Sequence, residues 1–211
     1  MNRVITLSLL GSLSLVAVTN TASAAITSAT GSVFWHTSQP TSALPGALVT
    51  PVAHVWDEQQ NVTVSGQAVN IASSFGSYTG STPNFATVSG TFDSHFIHFD
   101  LASGVGVAGG FISFSSNIAA IIYQDTLLDL SDPTFGWGGT TYATFMPFRS
   151  HGSALNGSNL SLFGNSMQFN LVADTTTRMI EVRVLTYAVP APGSLAMVGL
   201  GGLVAARRRR R

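Results

Sequence analysis

The stretch Asn159-Leu-Ser-Leu-Phe163, Gly164-Asn165, Ser166-Met-Gln-Phe-Asn-Leu171 constrains the fold of this chain more than any other. Two alternating runs flank a two-residue Gly-Asn turn, the pattern of a β-hairpin. The pairing sets Leu162 against Met167 and Leu160 against Phe169. Both pairs share one face, and Ser161 and Gln168 share the other. A slip of one residue would turn the apolar set to solvent, so the register is specified.

The same grammar recurs along residues 25–188, where short apolar runs alternate with Gly, Ser, Thr, Asn and Pro. The spacing predicts strands over Ser32–His36, Asn61–Ile71, Phe85–Phe92, His95–Leu101, Gly104–Phe114, Thr141–Phe148 and Arg178–Ala188. Ala47–Trp56 reads as extended, with Pro51 placing it at an edge or breaking it. Gly66 suggests a bulge. Ile118–Tyr123 is apolar on both faces and reads as a central strand. Ser73–Pro83 and Gly136–Gly139 read as loops. Thr126–Asp132 reads as a short helical turn or a loop, ended by Pro133. The expected fold is all-β, a β-sandwich of jelly-roll-like kind. A signal-peptide helix is expected before it, and a short hydrophobic helix after it. A domain of this size buries about 70% of its unfolded surface, enough for an ordinary core. There is no cysteine, so neither a disulfide framework nor thiol chemistry is available.

Charge narrows the function classes. The full chain is formally neutral. Its nine basic residues are all arginine, and only Arg149, Arg178 and Arg183 fall within residues 25–188. All nine acids lie there too, so that region carries three cations against nine anions, a formal charge of −6. Nucleic acid and anionic lipid both call for a basic surface, which excludes them as charge-bound partners.

Residues able to do chemistry are sparse. Asp93-Ser-His95-Phe-Ile-His98-Phe-Asp100 is the densest polar run. In a flat strand Asp93 and His95 share one face, and His98 and Asp100 the other. One metal ion would therefore not reach His95 and His98 together. Asp125, Asp129 and Asp132 offer carboxylates to a Ca²⁺, the one cofactor considered, without EF-hand spacing. As helix-capping and turn residues they need no ion. Asp57-Glu58 reads as an exposed turn. Trp137, between glycines, and Trp56 are the candidate aromatic platforms for a sugar. No nucleophile-elbow, phosphate-loop or dinucleotide motif is present. No catalytic residue is assigned, and the expectation is that the protein is not an enzyme. A secreted hydrolase, drawing on His95 or His98 with two acids, is the remote alternative.

The two ends read as addresses. Arg3, an apolar run over residues 4–18 and Ala22-Ser23-Ala24 form a secretory signal with cleavage after Ala24. At the other end, Val189-Pro190-Ala191-Pro192-Gly193 precedes a short apolar run to Ala206 and then Arg207, Arg208, Arg209, Arg210 and Arg211. That run is shorter than the roughly 20 residues needed to span a bilayer core. The arginines are expected to stay cytoplasmic.

A Pro-x-Pro boundary, an apolar Gly-rich helix and a terminal Arg run, in that order, resemble the PEP-CTERM sorting signal. Ala191 stands where that family has a glutamate. The resemblance implies export through the Sec translocon and a transient hold in the membrane by the C-terminal helix. It further implies cleavage by an exosortase near Pro190–Pro192, giving a cell-surface or extracellular product. Four strings also resemble a recurrent ectodomain of bacterial PEP-CTERM proteins: Asp57-Glu-Gln-Gln-Asn61, residues 93–100, Leu127-Leu-Asp-Leu-Ser-Asp132 and Val182-Arg-Val-Leu-Thr186. This second resemblance implies no activity. The domains expected are thus residues 1–24, 25–188 and 189–211. The function expected is a structural or adhesive role at the surface or in the extracellular matrix. A carbohydrate-binding module of the exopolysaccharide layer is the alternative.

Overall fold

The computed structural model describes residues 25–79, 85–101, 104–146, 149, 157–173 and 179–189. All of them belong to one unit, Thr21–Pro190. Ala22, Ala24, Pro190, Ala191, Pro192, Gly193 and Arg207 to Arg211 lie outside the described residues. So does the predicted C-terminal helix. Among the described residues no helix is long and apolar enough to cross a membrane.

The described residues are all-β, with one helix. A first sheet takes the order β1 (Ile26–Gly31), β7 (Gly106–Phe114), β10 (Ser166–Ala173), β9 (Asn159–Phe163) and β5 (Phe75–Thr79). The second runs β2 (Val33–Trp35), β3 (Ala53–Asp57), β6 (Ala86–Asp100), β11 (Met179–Tyr187) and β8 (Ile118–Ile122). β4 (Val62–Val69) joins the second sheet by pairing with β6.

β6 is the spine of the second sheet. The two strands expected over 85–92 and 95–101 are one continuous strand of 15 residues. Asp93 and Ser94, which look like a break in an apolar pattern, are paired throughout. β4 takes the first part of one edge of β6, β3 takes the last part, and β11 runs along the opposite edge. The link between β3 and β4 is held to the spine. Glu58 N–H donates to Ser94 O, and Asn61 N–H donates to the Asp93 carboxylate at 2.6 Å.

The two sheets share a core in which Ile97, Phe99, Val182 and Val184 from one meet Ile112, Leu160, Met167 and Phe169 from the other. The far face of the second sheet is buried as well. Trp56, Phe92, Phe96 and Leu185 pack there against the helix α1 (Asp125–Phe135), whose Leu127, Leu128 and Phe135 lie on one stripe. A sheet covered on both sides explains why nearly every residue of β8 and β11 is buried. β8 ends the hydrogen-bonded order rather than lying at its centre, as its composition suggested. Its free edge is covered by an antiparallel bridge from Ile71 to Ile121.

Several other expectations change. β1 and β5 are strands, although Ala25–Gly31 was not singled out and Ser73–Pro83 read as a loop. β3 is internal, between β2 and β6. Thr141 makes only an isolated bridge to Ser42, and no strand runs from there to Met146. The helix continues through Pro133, because its buried stripe outweighs one lost amide donor near its end. The hairpin is as read: Met167 opposes Leu162, Phe169 opposes Leu160, and Gln168 opposes Ser161. A positive φ at Gly164, and not at Asn165, is the type II′ turn pattern. The bulge is also present, as a register shift between Val64 and Gln67 around Gly66.

Candidate functional site

Charge is segregated between the two sheets. The five strands of the first sheet contain no Asp, Glu, Lys or Arg. The described ionised side chains gather on the second sheet, α1 and the segments packed against them.

Alternation along β6 divides its polar residues between two layers. Asp93 and His95 point with Ile97 and Phe99 toward the first sheet. Ser94, His98 and Asp100 point with Phe96 toward the helix layer. His95 and His98 therefore do not converge, as the flat-strand argument required. His95 Nδ1–H donates to Asp57 Oδ1 at 2.6 Å, and its Nε2 accepts from the Thr186 hydroxyl at 3.0 Å. Hydroxyl, imidazole and carboxylate stand in the order used by nucleophilic hydrolases. Thr186, however, is 0% exposed and lies between the sheets. A substrate carbonyl has no route to its oxygen.

On the opposite face of the second sheet is a buried ion cluster. Arg183 of β11 makes a fork to Glu58, Nε to Oε2 at 2.7 Å and Nη2 to Oε1 at 2.8 Å. Its Nη2 also donates to Asp132 Oδ1 at 3.0 Å, and its Nη1 to the Ser131 hydroxyl. Arg149 binds the same Asp132 through both terminal nitrogens, at 2.6 and 3.0 Å, and reaches Asp129 at 2.7 Å. Its Nε donates to Glu181, whose other oxygen accepts from His98 Nδ1 at 3.0 Å. Asp132 thus joins two guanidinium groups. Fork geometry of this kind is the strong form of the charge-assisted hydrogen bond. Burial opposes the charge on both arginines, but the surrounding carboxylates outweigh it and raise both pKa values. Arg183 also lies over the Phe96 and Tyr142 rings, at 4.9 and 5.6 Å. The Tyr142 hydroxyl is pushed up, by burial first and by Glu58 second.

The structure therefore brings His98, Asp129 and Asp132 together, but around arginines. The Asp129 and Asp132 oxygens accept from Arg149, Arg183, the Thr144 hydroxyl and Phe145 N–H. Asp125 stands one turn away at the helix start, its carboxyl raised by burial and then by Asp129. Among the described residues no group of three or more His, Asp or Glu is arranged to hold a metal. Glu58 is not in an exposed turn: it is 1% exposed. Trp56 is no sugar platform: it is fully buried against Phe96, at a ring distance of 5.1 Å. Trp137 is the exposed tryptophan of the pair.

The cluster members missed in the sequence are Glu58, Arg149, Glu181 and Arg183. Glu181 and Arg183 alternate with Ile180, Val182 and Val184, which reads as a solvent-facing row. The available signal was scarcity: a domain without lysine has few partners for its acids. The four strings said to resemble a recurrent ectodomain supply Glu58, His98, Asp129, Asp132 and Arg183, and so meet in this cluster.

A second histidine group lies at the edge of the second sheet. His36 Nε2 and His54 Nδ1 are 2.8 Å apart, and His54 Nε2 is 2.7 Å from the Thr50 hydroxyl. Burial first, then His36 and His98, lower the His54 pKa to about 4. His36 is lowered by burial and by His98.

An open concave feature lies on the uncharged sheet. A groove of 610 Å³ is lined by Thr30, Gly31, Gly109, Gly110, Phe111, Asn159, Gln168, Phe169 and Asn170. None of these residues was singled out as a ligand contact from sequence, because neutral polar residues alternating in a strand look like any solvated face.

The chain matches no family model, no curated protein and no solved structure.

Proposed function

We propose that this is an exported, exosortase-processed protein of the cell surface or extracellular matrix, acting by structure and adhesion through a jelly-roll-like β-sandwich. One observation carries the reading. β11, the last strand, lies inside the second sheet, paired to β6 and to β8. Just beyond it, Ala188 N–H still donates to Thr91 O. Among the described residues the last strand ends at Tyr187, two residues before Val189, so cleavage near Pro190 removes no described strand from either sheet. The acidic product then stands free or joined to the surface by a few residues.

The placement of the reactive groups supports adhesion over hydrolysis. His95 and Thr186 of the relay are buried, with Asp57 28% exposed at its outer end, and the arginine–carboxylate cluster is buried with its carboxylates held by Arg149 and Arg183. The uncharged groove supports a second reading, a carbohydrate-binding module.

Intact mass of the native secreted protein tests the proposal. The expected mass lacks residues 1–24 and the tail beyond Pro190–Pro192. A mass that still includes Arg207 to Arg211 overturns it.

A further inference from the structure

The outer face of the first sheet is ordered in rows that run across its strands. Thr30, Phe111, Gln168, Ser161 and Ser77 are successive cross-strand partners. Gly109, Asn170, Asn159 and Thr79 form the next row. At about 4.8 Å between strands the first row is about 19 Å long and the second, over four strands, about 14 Å.

The depression has a plain cause. Gly109 leaves a gap in the outer row between taller neighbours, and the backbone of Gly31 on the adjoining strand lines the same floor. Gly31 is locked as glycine twice over: its φ is +88°, and a Cβ would stand 2.7 Å from Gly109 O. Around this floor stand the amides of Asn159, Gln168 and Asn170. Among the described residues none of these side chains hydrogen-bonds the protein. Beside them Phe111 and Phe163 are 37% and 50% exposed, their rings stacked at 6.4 Å and 24°. Each amide offers a donor pair and an acceptor. The rings offer a flat apolar surface.

The chemistry selects the occupant. No cation on this sheet can hold a phosphate, sulfate or carboxylate, and the acidic domain repels polyanions. No anion there attracts a basic peptide, and an extended peptide pairs with a strand edge rather than a face. Neutral donors and acceptors beside an apolar plane match a molecule with many hydroxyls and apolar C–H faces. A volume of 610 Å³ is within the range of specific ligand clefts.

We propose that the outer face of the first sheet binds a neutral polysaccharide chain, seated over Gly31 and Gly109, hydrogen-bonded by Asn159, Gln168 and Asn170, and stacked on the Phe111–Phe163 pair. The site rests on the adhesive reading above and names its partner. It is separate from Trp137.

Native affinity electrophoresis of the secreted protein tests it, in gels containing a neutral β-glucan, a neutral galactomannan, anionic alginate or no polysaccharide. The expected result is retardation in at least one neutral gel and none in alginate. Combining Phe111→Ala, Gln168→Ala and Asn170→Ala should raise the apparent Kd at least about tenfold. Trp137→Ala should leave it unchanged. Gly109→Leu is a second probe. It fills the floor, and its Cβ meets only ordinary contacts, the nearest being Asn170 Oδ1 at 3.5 Å. It should abolish retardation in a protein of unchanged melting temperature. Absence of retardation in both neutral gels, equal retardation of wild type and Gly109→Leu, retardation by alginate alone, or loss on Trp137→Ala overturns the site. Intact mass separates this from the broader reading: a processed tail with no glycan binding removes the groove and leaves surface sorting in place.

Discussion

Arg183 carries more of this fold than its position in an alternating strand suggests. It is fully buried, and its fork holds Glu58 while one arm reaches Asp132. Truncating one partner of a buried ion pair leaves the others uncompensated, which costs about 3–5 kcal/mol. Arg183→Met should therefore lower the denaturation midpoint by that equivalent. Adding Glu58→Gln should recover part of the loss, because it removes the stranded charge. Equal stability of Arg183→Met and wild type in urea would show that the cluster is not closed as described. His54 gives a pH signature at the same scale. Its folded pKa is lowered to about 4, and that of His36 is lowered too. As pH falls, the unfolded chain binds these protons first, near the ordinary value of about 6.5. Stability from this pair is thus complete above about pH 6.5 and is lost progressively toward pH 4. The wild-type melting temperature should fall between pH 7 and pH 5, and His54→Gln should flatten that fall.

The hairpin and β1 set the predictions for elements. Gly164 has φ +74°, and a Cβ there meets Phe75 at 3.4 Å, an ordinary contact. Gly164→Ala should cost only the left-handed backbone term, about 1–2 kcal/mol. Gly31→Ala adds a backbone collision with Gly109 O to the same strain. Overpacking of that kind costs about 1–3 kcal/mol more. Guanidinium unfolding should rank Gly31→Ala below Gly164→Ala. A reversed order would mean that the β1–β7 approach is looser than described. The hairpin was legible because turn, alternation and register agree within thirteen residues. β1 and β5 were not, because Ile26-Thr-Ser-Ala-Thr-Gly31 and Phe75-Gly-Ser-Tyr-Thr79 bury little: four of six and four of five residues are exposed. Their strand identity comes from the partners β7 and β9, not from their own pattern.

At the scale of the molecule, the last strand among the described residues ends at Tyr187, so a chain ending at Val189 should melt within about a degree of the longer form. Differential scanning calorimetry of the two checks this. Loss of several degrees would mean that the tail contributes packing. Isoelectric focusing of the secreted product should show a strongly acidic species, since the three remaining arginines face nine acids.

By itself the sequence determined the β class, the hairpin register, the bulge at Gly66 and the two-faced character of β6. Each is a local matter of alternation and turn chemistry. It also determined the segregation of cations into the terminal segments, which is arithmetic. Only the tertiary structure decided that the second sheet is covered on both sides. That single fact turned Glu58, which reads as part of an exposed turn, and Glu181 and Arg183, on the polar face of β11, into an interior cluster and buried Trp56. It also left the charge-free sheet as the one whose outer row of amides and phenylalanines faces water. Burial of a strand's second face depends on what arrives from elsewhere in the chain, and no periodicity within the strand records it.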